Sequence, residues 1–242
     1  MITTSPDIMK FETPAEASSA TARLITKKLS EVFNWKKNAT IVLPGDSVPG
    51  ALNPILAGVL RNMATDRIDW FFTDESSVIP NSHLSNYHLQ MESLLGPLGI
   101  EQKRIHRIRT ELGASEASRE YSRELTEFFS GFPDFDIILL GLGPDGHTAG
   151  LFPGSPALSI TGKAVAVTGK ADRSPRQECI TLTLPVINAG HTVIFFTDTE
   201  GKEPMIDRIM NKENTAQKRE YPFEYVESMY SGVSWFIYGD NR

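Results

Sequence analysis

Short strand-like runs alternate with helix-like segments along the chain, and this alternation predicts an α/β fold with a mainly parallel sheet and helices on both faces. Thr13, Pro14 and Glu16 carry the signature of a helix N-terminus, a capping box with proline at the first helical position. Ala20, Leu24, Ile25, Leu29 and Val32 then supply an apolar face. "ATIVLP" (39–44) reads as a buried strand that runs through a Gly/Pro turn into a helix near 49–62. "IDWFFTD" (68–74) reads as a second strand, delivering Asp74 and Glu75 at its C-terminal end. Helices near 86–95 and 114–130 lead to the strand "DIILLGLG" (136–143). "KAVAVTG", "CITLTL", "HTVIFFTD" and "GVSWFIYGD" follow as further strands, with a helix near 200–211, and the aromatics of "DWFF" and "SWFIY" are core candidates. With no internal repeat, low-complexity tract or linker, residues 1–242 read as one domain.

Composition narrows the function classes. A formal charge of -6, with basic residues scattered rather than clustered, argues against a nucleic-acid surface or an anionic membrane as partner and leaves a small molecule as the expected ligand. No apolar run approaches the roughly 20 residues needed to span a bilayer. Cys179 is the one cysteine, so no intramolecular disulfide can form, and the N-terminal stretch lacks the order of a signal peptide. A soluble, cytoplasmic protein is expected. His83, His88, His106 and His191 show no metal-ligand spacing, so neither a metal nor a cofactor is expected.

In open α/β sheets ligands bind beyond the carboxyl ends of the strands, where four segments fall: 44–50, 74–86, 143–154 and 198–202. Within the third, "IILLGLGPDGHTAGLFPGSPAL" (137–158) ends an apolar run in closely spaced glycines and then sets Asp145 and His147 on either side of Gly146. An Asp-Gly turn next to a packed histidine is a common surface motif. A glycine hinge at a strand end is also a place where backbone N–H groups and an imidazole can approach a ligand.

The stretch "GLGPDGHTAGLFPGSPAL" followed by "CITLTLPVINAGHTVIFFTDTEGK" resembles the 6-phosphogluconolactonase family, with weaker matches in "TDESSVIPNSHLSNYHL", "IHRIRTELGASEASREYSREL" and "KREYPFEYV". The resemblance implies a Rossmann-like fold related to glucosamine-6-phosphate and ribose-5-phosphate isomerases. It also implies metal-free hydrolysis of 6-phosphoglucono-δ-lactone in the pentose phosphate pathway. Lactone opening needs a base for the attacking water, a group that orients the base and donors near the developing oxyanion. His147 is the expected base and Asp145 its orienting partner, with glycines 141, 143 and 146 presenting N–H groups to the substrate.

Gly45, Asp46, Ser47, Asp74, Ser76, Asn86, Gly143 and Lys202 are the expected substrate contacts. Asn86 also fits a helix N-cap. Several anchoring positions differ from the family pattern. Where its members usually carry Ser-Gly-Gly-Ser-Thr-Pro to cradle phosphate, this chain has Pro44, Gly45, Asp46, Ser47, Val48 and Pro49. Ser76 and Cys179 stand where the family has arginines, while Lys202 matches the late lysine; Arg109, Arg173 and Arg176 are the cations available to compensate. Alongside lactone hydrolysis, two readings stay open: the same fold acting on a different lactone or sugar phosphate, and a catalytically weak binding or regulatory protein.

Overall fold

A computed structural model describes residues 7–45, 48–169, 178–211, 219–230 and 232–239. Six strands form its main sheet: β1 (Asp7–Phe11), β2 (Ala39–Leu43), β3 (Ile68–Phe72), β5 (Ile137–Leu140), β8 (Thr192–Asp198) and β9 (Val233–Tyr238). They lie in the order β1-β9-β8-β5-β2-β3, and every neighbouring pair is parallel. The Rossmann-like α/β class expected from the alternation and the resemblance is the fold observed. β2 and β5, central strands covered by helices, are buried at every residue, and so is β3 at the end of the sheet.

The helices begin where local chemistry starts them. In α1 (Pro14–Phe33) the Thr13 hydroxyl accepts from Glu16 N at 3.3 Å, and Thr13 N donates back to Glu16 Oε2 at 3.2 Å. Its buried stripe is Ala17, Ser18, Thr21, Ala22, Ile25, Leu29 and Val32. The face is therefore rotated from the expected one, with Ala20 and Leu24 at its margin. The small residues let α2 (Val48–Leu60) approach closely enough for Ser18 Oγ to donate to Ala51 O at 3.0 Å. Each fully buried leucine or isoleucine of this stripe contributes about 2 kcal/mol.

Three expectations are corrected. β1 was not foreseen; it pairs only with β9 at the sheet edge, so its sequence is half exposed and lacks an apolar run. The chain after β3 does not continue the main sheet. Thr73 N still donates to Leu43 O at 3.0 Å, but Thr73 O accepts from Leu182 N at 2.8 Å, so the chain changes sheets at this residue. β4 (Asp74–Ser76), β7 (Glu178–Leu182) and β6 (Val165–Gly169) form a second, antiparallel sheet in the order β4-β7-β6. The expected helix over 86–95 is α3 (Asn86–Gln90) followed by a wider π-turn through Met91–Leu95. Among the described residues no helix is long and apolar enough to cross a membrane.

The outer edge of β3 is covered by side chains. α4 (Ala114–Phe129) buries Tyr121, whose hydroxyl accepts from Phe72 N at 3.0 Å and donates to Phe72 O at 3.1 Å. Nearby, His106 N donates to Trp70 O at 2.8 Å, and the His106 ring stacks on Phe71 at 4.3 Å. Its Nδ1 lies 2.7 Å from Glu124 Oε1 and its Nε2 3.6 Å from Asp69 Oδ1. Burial works against the charged ring, but Asp69 and Glu124 on its two sides outweigh it and hold the imidazole above its ordinary range.

A histidine with a raised folded value stabilises fully below its unfolded value of about 6.5, and this stability is lost as pH rises through the folded value. Urea unfolding is expected to give a lower free energy at about pH 9 than at about pH 6, and His106→Gln should remove much of that difference. An unchanged pH difference in the variant would contradict the assignment.

Candidate active site

β5 lies between β2 and β8 at the centre of the main sheet and delivers the segment 141–151 to its carboxyl end. There the chain folds back on itself. Gly146 N donates to Gly143 O at 3.0 Å, and Gly143 N donates to His147 O at 2.9 Å. Both N–H groups are thus used inside the turn, which corrects the expectation that they face the substrate. What these glycines provide is space. A Cβ at Gly143 would collide with the His147 ring, and Gly146 takes φ 78°, a left-handed conformation natural to glycine.

The turn makes Asp145 and His147 a pair. Asp145 Oδ1 accepts from His147 N at 3.1 Å and contacts the ring at Nδ1. His147 is 8% exposed and packs against Phe152 at 5.0 Å, while the Asp145 side chain is half exposed. Burial raises the Asp145 carboxyl, but the hydrogen bond and charge of His147 prevail and leave it below its ordinary value. An ionised carboxylate at Nδ1 fixes the Nδ1–H tautomer and places the basic lone pair on Nε2.

Three other segments meet this turn. Val48, at the start of α2, lies 3.0 Å from where a Gly141 Cβ would stand. Gly150 N donates to Thr181 Oγ1 at 3.0 Å, and Thr168 Oγ1 donates to Gly150 O at 2.8 Å, docking the loop on the antiparallel sheet beside Cys179. Cys179 Sγ lies 3.6 Å from Asp74 Oδ2, and Ser76 is its partner across the β4/β7 pair. Asn86 Nδ2 donates to Asp74 O at 2.8 Å and to Asp74 Oδ2 at 3.1 Å. Its carboxamide occupies the space of a Gly45 Cβ. The cap of α3 is Ser85, whose Oγ accepts from His88 N at 3.2 Å, so Asn86 belongs to the site side rather than to the cap. The structure therefore brings Gly45, Asp74, Ser76, Asn86 and Gly143 to one end of the sheet. Asp46, Ser47, Arg173 and Arg176 lie outside the described residues.

Two supports were not foreseen. Glu75, named at sequence level only as part of a strand end, is buried and accepts four bonds. Its Oε1 takes Asn86 N (2.8 Å) and Ser76 N (3.0 Å), and its Oε2 takes Tyr87 N (2.9 Å) and Ser85 Oγ (3.0 Å). Burial pushes its carboxyl up to about 7 against the bonds from Tyr87, Asn86 and Ser85, with the Asp74 charge adding to the rise. Gln90 donates to Pro44 O at 2.7 Å and accepts from Asn53 Nδ2 at 2.8 Å, holding the residue before Gly45. Polar residues inside helical windows give no sequence signal for such partners.

Lys202 and Arg109, the expected cations among the described residues, are engaged. Lys202 is 5% exposed before α6 (Glu203–Met210), and its Nζ donates to Thr197 Oγ1 at 3.0 Å and to Asp198 Oδ2 at 2.8 Å. Arg109 donates to Glu120 Oε1 at 3.0 Å and borders a surface cleft with Arg107, Arg123 and Glu127, so its charge is answered there. No group of three His, Cys, Asp or Glu suited to a metal ion occurs among the described residues.

A profile described as glucosamine-6-phosphate isomerases/6-phosphogluconolactonase matches residues 12–235. The 6-phosphogluconolactonase of Rattus norvegicus is 32% identical over 237 residues, covering 95% of this chain and 90% of the relative. Crystallised 6-phosphogluconolactonase from Thermotoga maritima superposes with a TM-score of 0.81 at 25% identity, covering 96% of this chain and 99% of the other. The enzyme from Trypanosoma brucei does so with 0.81 at 26%, covering 96% of each.

Replacing Gly143 by alanine must displace the imidazole. Gly143→Ala is expected to cost about 1–3 kcal/mol of stability and to lower hydrolytic turnover by about 10-fold to 100-fold. Denaturant unfolding with steady-state assays checks both, and unchanged turnover would show that the ring does not need this space.

Proposed function

The chain belongs to the glucosamine-6-phosphate isomerase/6-phosphogluconolactonase family, and on that premise we propose that it hydrolyses 6-phosphoglucono-δ-lactone to 6-phosphogluconate in the pentose phosphate pathway. The observation that carries this reading is the Asp145–His147 pair folded over Gly143 at the end of the central strand. His147 Nε2 takes a proton from water as the water oxygen bonds to the lactone carbonyl carbon. Asp145 keeps Nδ1–H oriented and stabilises the imidazolium that forms. As the tetrahedral intermediate collapses, the bond from that carbon to the ring oxygen breaks, and the imidazolium returns its proton to the departing oxygen. The resulting acid ionises to the carboxylate of the product.

Lys202 is the cation we assign to the phosphate, held in place by Asp198 and Thr197. Gly45, Asp46, Ser47, Asp74, Ser76, Asn86 and Gly143 complete the assigned site, with Gly143 acting through the room it leaves for the imidazole. A small sugar-phosphate lactone is the partner, and a chain whose one cysteine, the buried Cys179, can form no intramolecular disulfide fits a reducing, cytoplasmic setting. One observation favours a second reading, a lactone without phosphate: Lys202 already has a carboxylate partner in Asp198.

With 6-phosphoglucono-δ-lactone as substrate, and after subtraction of the uncatalysed rate, His147→Ala should lower kcat by about 100-fold or more. The phosphorylated lactone should exceed glucono-δ-lactone in kcat/KM. Full turnover in the variant removes the base assignment, and equal kcat/KM values for the two lactones favour the second reading.

A further inference from the structure

The Asp145–His147 turn is braced from outside by the segment 219–226. Tyr221 lies against Gly146 so closely that a Cβ there would strike the Tyr221 Cβ, Cγ and Cδ1 atoms. Phe223 N reaches Gly146 O at 3.4 Å. The peptide between the acid and the imidazole therefore has an aromatic side chain against its α-carbon and a backbone donor on its carbonyl.

This brace is anchored at several points. Phe223 is buried edge-on against Trp235 of β9 at 5.8 Å and stacks with Tyr221, their planes 13° apart. Glu224 Oε2 accepts from Tyr221 N at 2.8 Å, while its Oε1 accepts from Arg208 Nη1 at 2.9 Å. The Arg208 guanidinium lies over the Tyr221 ring at 5.2 Å and also pairs with Glu220. Arg208 projects from α6, the helix that Lys202 precedes. One ion-paired arginine thus connects the helix beside the assigned phosphate cation to the ring that braces the catalytic turn.

We propose that Tyr221 is a positioning residue for lactone hydrolysis: its ring clamps Gly146 and so fixes the reach of His147 toward the attacking water. The proposal rests on His147 being the base. A brace on this peptide governs the angle between imidazole and substrate without touching the substrate, so its loss should appear in turnover rather than in binding.

The test compares Tyr221→Ala, Tyr221→Leu and Tyr221→Phe with the unmodified chain and His147→Ala, using 6-phosphoglucono-δ-lactone and the thermal midpoint of each protein. Tyr221→Ala is expected to lower kcat by about tenfold or more with KM within about twofold, Tyr221→Leu to fall between, and Tyr221→Phe to restore most of the turnover. Should the alanine variant not fold, the leucine variant carries the same comparison. Unchanged kcat in the folded alanine or leucine variant, or a phenylalanine variant as impaired as they are, overturns the clamp while leaving His147 as base. Full turnover in His147→Ala removes the base assignment and the clamp with it.

Discussion

The imidazole of His147 lies in the space that a side chain at Gly143 would fill, and the geometry of the site depends on that vacancy. It lets the chain reverse within five residues of the central strand, so that His147 O accepts from Gly143 N and Asp145 reaches Nδ1 of the same ring. A bulkier residue would push the ring outward and separate it from its carboxylate. The rigidity of β5, buried between two parallel neighbours, then passes directly to the imidazole. An imidazole held this way would need little reorganisation to serve as the proposed base.

The remainder of the site is assembled by buried polar contacts rather than by apolar packing. Glu75 ties the β4 strand to the first turn of α3 through the N–H groups of Asn86 and Tyr87 and the Ser85 hydroxyl, and this holds Asn86 against Gly45 and Asp74. A carboxylate suits this task because it accepts at both oxygens, where a carboxamide would set N–H2 against N–H at one of them. Carboxylates are frequent at the carboxyl ends of these strands: Asp74, Asp145 and Asp198 follow or end β3, β5 and β8, and Lys202 pairs with the last of them. A phosphate bound at Lys202, as proposed above, would share the ammonium with Asp198.

Much of the fold and the Asp145–His147 contact was legible in the sequence because both lie in short continuous segments. Uniformly apolar runs such as Ile137–Leu140 read as buried strands in an alternating chain, and Asp145-Gly146-His147, an ordinary turn in isolation, stands out within the longer block that resembles the family. The unread elements depend on distant partners. β1 is defined by one neighbour from the opposite end of the chain, and the β4-β7-β6 sheet by a hand-over at Thr73 to partners more than 100 residues on. Gly143 was read as a donor because glycine content signals backbone access. Its actual service, leaving room for a ring four residues on, needs the folded turn to be visible. Tyr221 contacts Gly146 from 75 positions away, a pairing that no local pattern encodes.

The central claim is that an Asp145-held imidazole activates water, and the pH dependence of kcat/KM tests it most directly. From about pH 5 to about pH 9, with the spontaneous rate subtracted, the unmodified protein should lose kcat/KM on the acid side in the range where imidazoles protonate, and Asp145→Asn should lower the plateau while displacing that limb. A profile that stays flat through the acid range, or one that Asp145→Asn leaves unaltered in height and position, would contradict the account.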